Sequence, residues 1–251
     1  MKQKILFAPV TLAIAASALF VAGTAQASLI WDGSASKGLG VFKNINIQDS
    51  SDNYVSNPSP NGSRASTTSD GSEGTVFKFD KAVGDRRCEG HGANGFNPAI
   101  GSTYYIGWRF KLTSTVDDNA VFQWKSYGSP MNQNYPLVIK MVGGNLQLHY
   151  FPPNGGDTVL WSHAISANTY YSMVLKIKVS DQTSGGSVQF FFGNDTGAET
   201  LTTGGTSFTG KTFDGSSVDP KWGIYGANNT HVIDYVSHLK IGTTYNDVKP
   251  F

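Results

Sequence analysis

The feature that most constrains this chain is a two-residue alternation of apolar and polar side chains, recurring between residues 41 and 241 with no capped helical period in between. Successive side chains of a strand point to opposite faces. In residues 220–226, Trp222 and Ile224 can therefore be buried while Lys221, Gly223 and Tyr225 face the other way. Similar stretches occupy residues 41–47, 75–79, 86–91, 103–111, 119–125, 137–141, 146–151, 170–179, 187–192 and 231–241. Gly143-Gly144-Asn145 marks a hairpin turn between two of them. Residues 48–74 and 193–218 are rich in Ser, Thr, Asn, Asp and Gly and read as long surface loops. About a dozen short strands joined by polar loops predict an all-β sandwich of two sheets, a jelly roll of concanavalin A-like type. One curved sheet of such a sandwich makes a concave groove, which suits a polymer chain better than a small molecule.

Residues 1–27 read as an export signal rather than part of the fold: Lys2 and Lys4, an apolar run over residues 5–22, then Ala25-Gln26-Ala27. Residues 28–251 are expected to form one domain, secreted to the periplasm or the cell exterior and monomeric. Without Lys2 and Lys4 the chain carries 17 basic against 18 acidic residues, near −1. That balance offers no electrostatic footprint for nucleic acid or membrane. An acidic polymer would have to be held by a local cluster of cations. Cys88 is the only cysteine, so no internal disulfide can form and the fold rests on its core.

Several chemistries lack their residues. There is no Gly-x-Ser-x-Gly nucleophile turn, no phosphate loop of Walker type, no His-Glu-x-x-His and no paired cysteine set. Glycoside hydrolysis usually requires two carboxylates, and the only glutamates are Glu73, Glu89 and Glu199. An Asp pair such as Asp117 and Asp118 keeps hydrolysis as an alternative. What is present differs in kind. Arg87, Glu89 and His91 share one strand face with Cys88 opposite, and Gln123 and Lys125 share another with Phe122 and Trp124 opposite. With Lys221 and Tyr225 they suit β-elimination on a uronic acid polymer. In that reaction the substrate carboxylate must be neutralised before the adjacent carbon loses its proton. One Tyr can then take that proton and return it to the leaving oxygen.

The ordered set Arg86-Arg87-Cys88-Glu89, Phe122-Gln123-Trp124-Lys125 and Lys221-Trp222-Gly223-Ile224-Tyr225, with Tyr235 to Gly242 behind it, resembles the jelly-roll polysaccharide lyases. The likeness is nearest to the glucuronan lyases of polysaccharide lyase family 20, and related alginate lyases share the architecture. The resemblance implies that Arg87 and Gln123 neutralise the carboxylate and that Tyr225 is base and acid. His91 stands where the alginate enzymes have a second Arg, and Lys125 where they have a His. These departures favour glucuronan over alginate and leave His91 able to share or take the role of base. Glu89, Lys125, Lys221 and His149 are expected at the substrate, Glu89 chiefly by orienting Arg87. Asp234 resembles a structural calcium ligand of related jelly rolls, and no cofactor is expected for catalysis. A non-catalytic carbohydrate-binding domain on the same sandwich is the alternative from another class. Trp108, Trp124 and Trp161 are expected in the core, and the sequons at Asn61, Asn194 and Asn228 matter only in a glycosylating host.

Overall fold

The computed structural model describes residues 28–194, 202–203 and 208–250; the expected export signal and Glu199 lie outside them. The described strands are β1 (Leu29–Asp32), β2 (Phe42–Asp49), β3 (Tyr54–Val55), β4 (Arg64–Ser69), β5 (Thr75–Lys81) and β6 (Asp85–Ala93). They continue with β7 (Thr103–Leu112), β8 (Asn119–Tyr127), β9 (Leu137–Val142), β10 (Asn145–Tyr150), β11 (Thr158–Ala164) and β12 (Tyr171–Lys178). The rest are β13 (Gly186–Asn194), β14 (Thr202–Thr203), β15 (Phe208–Gly210), β16 (Ser217–Gly226) and β17 (Val232–Gly242). They form two antiparallel sheets. One runs β14-β13-β12-β7-β17-β5-β4, with β1 against β17 and β15 against β13; the other runs β11-β10-β9-β8-β16-β6-β2-β3. This is the jelly-roll sandwich that the alternation predicts.

The inner faces meet through aromatic side chains. Trp108 of β7 stacks on Phe122 of β8 with ring centroids 5.0 Å apart, and Trp31 of β1 stacks on Trp222 of β16 at 5.7 Å. Trp124 is fully buried and donates its indole N–H to the Thr212 carbonyl at 2.8 Å, so its polar handle is satisfied. Cys88 lies on this inner face, fully buried, and burial pushes its thiol well above the usual range. Trp161 is half-buried against Phe190 and Phe192.

Two local expectations need correction. Residues 48–74 are not all loop, because β3 and β4 lie within them. β4 is built of Arg, Ala, Ser and Thr and buries only Ala65, so it carries no apolar alternation; its pairing with β5, Ala65 opposite Phe79, makes it a strand. The stretch 193–218 likewise includes β14, β15 and the start of β16. One short helix, α1 (Tyr245–Val248), follows β17, with a reciprocal capping box between Thr244 and Asp247. No described helix is long and apolar enough to cross a membrane.

Two irregularities position the outer face of the second sheet. β8 gains a residue against β9 between Ala120 and Phe122, and β16 gains one against β8 between Trp222 and Tyr225. The second depends on Gly223, whose φ is +122°. A Cβ there would sit 2.4 Å from the Cys88 carbonyl oxygen and 3.0 Å from Glu89 Cα, so both the backbone angle and the space demand glycine. Gly223→Ala is expected to lower unfolding free energy by about 1–3 kcal/mol. Chemical denaturation checks this, the midpoint falling while the slope stays constant.

Candidate active site

β6, β16 and β8 lie side by side, so the three stretches singled out in the sequence share one face. Their register builds rows across it. Arg87, Tyr225, Ala120 and Lys140 form one row, and His91, Lys221, Gln123, Val138 and His149 another. Between the rows Glu89 lies opposite Gly223, which carries no side chain.

Glu89 is the centre of the arrangement. Its side chain is 2% exposed. Gln123 donates an amide N–H to Oε1 at 2.5 Å, Lys221 donates to Oε2 at 2.6 Å, and Arg87 Nε lies 3.1 Å from Oε2. Reaching Gln123 requires Glu89 to extend past β16, and glycine at 223 leaves that path without a side chain. A carboxylate buried this deeply is tolerable only when paired and hydrogen-bonded, and here two cations and an amide supply that.

Lys221 is therefore not the groove cation expected of it. It has no exposed surface and its ammonium is committed to Glu89. Burial pushes its pKa below the usual lysine range, with Glu89 opposing the shift and Arg87 adding to it. Glu89 itself sits beneath the face and contacts Arg87, Gln123 and Lys221, which matches a positioning part rather than direct contact with substrate.

Tyr225 is half-buried and open on one side. The Arg87 guanidinium carbon lies 4.3 Å from its ring centroid and that of Arg86 6.0 Å. Beside it opens a pocket of about 210 Å³ lined by Tyr225, Gln123, Arg86, Asp118, Ala120, Tyr135, Val138, Lys140, Phe151, Gly226 and Asn228. That is below the ~300–1,000 Å³ of sites that engulf a whole small molecule. It fits one section of an extended groove better. Asp118 reaches this pocket, whereas Asp117 accepts the Gly144 N–H at 3.0 Å, so the two aspartates do not face each other across it.

His91 does not join Tyr225. It stands opposite Lys221, four residues along β6 from Arg87, which is the partner of Tyr225. That spacing is about 13 Å of strand. Its ring stacks on Tyr127 at 5.0 Å, Nδ1 lies 3.3 Å from the Asn46 amide, and Nε2 lies 3.4 Å from Asp219 Oδ2. Burial alone would raise the Asp219 carboxyl, but His91 and Lys43, the latter at 2.7 Å, hold it below the usual range. Burial also raises the Tyr127 hydroxyl, with Glu89 and Asp219 adding to it.

Lys125 is half-buried between these groups, donating to Asn134 Oδ1 and lying 4.8 Å from the Tyr127 ring centroid. Burial, then the charges of Lys221 and Arg87, lower its pKa to about 8. His149, expected in the groove, is buried instead. Its Nδ1 lies 2.6 Å from Asp157 Oδ1, and burial lowers its pKa against the pull of that carboxylate.

Asp234 is far from this face. It lies on the inner side of β17, fully buried, with neither carboxylate oxygen hydrogen-bonded, and burial raises its pKa well above the usual range. A buried carboxylate with both oxygens unbonded is a donor that a cation could use. No group of three or more His, Cys, Asp or Glu that could hold a metal occurs among the described residues. A calcium ion here would have to take its remaining oxygens from elsewhere, chiefly backbone carbonyls.

Alternation alone did not point to Tyr135, Lys140 and Phe151 as site residues. Lys140 was readable as an outward position of its strand, but nothing local places it in the row of Tyr225. Tyr135 belongs to a loop with no periodicity.

Among solved structures, alginate lyase A1-II′, a family 7 enzyme in complex with product, matches with a TM-score of 0.54 and 12% identity. The match covers 80% of this chain and 94% of that one. A carbohydrate esterase from the Shiga toxin-encoding bacteriophage phi24B matches with a TM-score of 0.54 and 13% identity, over 87% of this chain and 99% of that one. At such identities the likeness shows the fold alone. No curated protein matches the chain in sequence. The family description "Polysaccharide lyase" matches residues 26–242, most of the chain. With a jelly-roll sandwich and a cationic, tyrosine-bearing pocket on one sheet, this chain belongs to the polysaccharide lyase family.

Proposed function

We propose that this protein cleaves a β-1,4-linked glucuronate polymer by β-elimination, as an exported enzyme. The observation that carries the reading is the meeting of Tyr225 and Gln123 at one open pocket, with the Arg87 guanidinium packed on the Tyr225 ring beside it. Arg87 and Gln123 would hold the substrate carboxylate, so that the charge growing on it as C5 loses its proton meets donors already in place. Tyr225, as phenolate, takes the C5 proton. The C–H electron pair becomes the C4=C5 double bond, the C4–O4 bond breaks, and the Tyr225 proton passes to O4. In glucuronate the C5 proton and O4 lie on one face of the ring, so a single tyrosine serves both transfers. The Arg87 guanidinium sets a positive charge beside the ring that carries the negative charge in this cycle. His91 has no part in the transfer, since it is held by Asp219 and Asn46 away from the pocket.

Glu89 fixes the pair that binds the carboxylate. It accepts the Gln123 side-chain N–H and forms an ion pair with Arg87, which restrains both side chains. Lys221 offsets its charge, so the pocket keeps a net positive field for an anionic chain.

Tyr225→Phe removes the proton carrier and leaves the carboxylate contacts. Turnover of glucuronan, followed by the ultraviolet absorbance of the unsaturated product, is expected to fall by about 10²–10⁴-fold. Binding of the polymer by calorimetry should persist. Retained turnover in this variant would remove Tyr225 from the mechanism. Saturated products from the native protein would instead indicate hydrolysis, and binding without any turnover a carbohydrate-binding domain.

Lys125 supplies a second check. With its pKa at about 8 it is charged at neutral pH and loses its charge as the pH rises through that value. If it helps hold the anionic chain, KM should rise across that range in the native protein. Lys125→Met should start high and stay flat, and Lys125→Arg should stay low, as a guanidinium keeps its proton.

We also propose a structural calcium ion at Asp234, with no part in the chemistry. Added calcium should raise the melting temperature of the native protein and leave that of Asp234→Asn unchanged. An equal response in both would remove Asp234 as a ligand.

A further inference from the structure

The pocket beside Tyr225 has a wall that the elimination does not use. Tyr135 and Phe151 meet there edge to face, with ring centroids 5.0 Å apart and planes at 88°. Lys140 completes it, its ammonium 5.4 Å from the Phe151 ring centroid. That ammonium is only loosely paired. It lies 3.8 Å from Asp157 Oδ2, while the other oxygen of Asp157 lies 2.6 Å from His149 Nδ1.

The wall is built rigidly from separate parts of the chain. The Asn132 and Gln133 backbone N–H groups both donate to Asp214 Oδ2, at 2.5 and 2.7 Å, and Lys211 donates to Oδ1 at 2.6 Å. The Gln133 side chain donates to the Phe151 carbonyl at 2.6 Å, and the Phe151 N–H donates to the Pro136 carbonyl at 3.0 Å. Tyr135 lies between these anchors and is thereby tied to Phe151. A surface held this way loses little conformational freedom when a ligand arrives.

Its chemistry is specific. A pyranose ring has a C–H face that packs on an aromatic ring, and a uronate adds a carboxylate at the ring edge. An aromatic corner with an ammonium over one ring matches both at once. Lys140 and Tyr225 are separated by β8 in one cross-strand row, so their strands lie about 10 Å apart. That offset places the wall beyond the sugar whose proton Tyr225 removes.

We infer that Tyr135, Phe151 and Lys140 form a binding subsite for the uronate unit flanking the one at Tyr225, the rings taking its C–H face and Lys140 its carboxylate. This rests on the uronate-lyase reading above for the identity of the sugar. It adds a specificity element that the elimination itself does not require.

The test compares the native protein with Phe151→Leu, which keeps apolar volume without a ring, and Lys140→Met, which keeps the stem without the charge. Tyr135→Leu reads the same wall from the other ring should Phe151→Leu fail to fold. Steady-state kinetics with sodium glucuronan and sodium alginate are paired with calorimetric binding of both polymers in a Tyr225→Phe background. Each variant is expected to raise KM and weaken binding about three- to tenfold at near-native kcat. Lys140→Met should in addition flatten the salt dependence of binding. Unchanged KM and binding in the variants, with the native protein active, overturn the subsite and leave the lyase reading standing. Polymer binding that the variants weaken, with no elimination by the native protein, keeps the subsite and overturns the lyase reading. Neither binding nor cleavage of either polymer by the native protein overturns both.

Discussion

The buried carboxylate of Glu89 is the interaction on which the functional face depends. From β6 it reaches β16 through Lys221 and β8 through Gln123, with Arg87 of its own strand paired to it and almost no access to water. Removing one partner of such a buried pair typically costs about 3–5 kcal/mol, because the other charge is left without compensation. The three strands are thus locked in register by the same group that orients the carboxylate-binding side chains. Gly223 is part of that lock, since only a residue without a Cβ can take its backbone angle and its place against Cys88 and Glu89.

The outer faces of the two sheets are polar in different ways. On the sheet carrying β7 and β17, Glu73 accepts from Arg109 and from Ser237, the latter at 2.6 Å. Asp70 accepts from Lys111 and from Tyr170, at 2.5 and 2.6 Å. These bonds fasten the turn at residues 70–73 onto the sheet, pairing acid with base locally. On the sheet carrying β6, β16 and β8, the buried pair lies beneath, while Arg86, Lys125 and Lys140 reach the surface at or near an open pocket. An anionic chain has a reason to settle on the second face and little reason to settle on the first.

The residues read from the sequence as catalytic or substrate-binding divide along physical lines. Arg87, Gln123 and Tyr225 were legible because each lies at a polar position of an apolar strand; Gln123 and Tyr225 line one pocket, and Arg87 packs on the Tyr225 ring. Lys221 and His149 show the same pattern, and like Arg87 and Gln123 they are buried, but they neither line the pocket nor touch Tyr225, because a side chain on the outward face can still be covered by its neighbours. His91 is outward too, but its row is set by the register with Lys221, which carries it to Asp219 and away from Tyr225. β4 was missed because its side chains are small and polar and only its partner makes it a strand.

The sequence by itself determined the all-β class, the hairpin at Gly143-Gly144 and the face of its strand on which each site residue lies. Those properties follow from the period of two, which is set by the local backbone and needs no partner. Only the tertiary structure decided which strands are neighbours, where the two bulges fall, how Glu89 gathers its donors and how Tyr135, Phe151 and Lys140 come to stand beside Tyr225. Those depend on hydrogen-bonded register between segments distant in sequence, and a slip of one residue would turn each of the side chains carried on the strands to the other face.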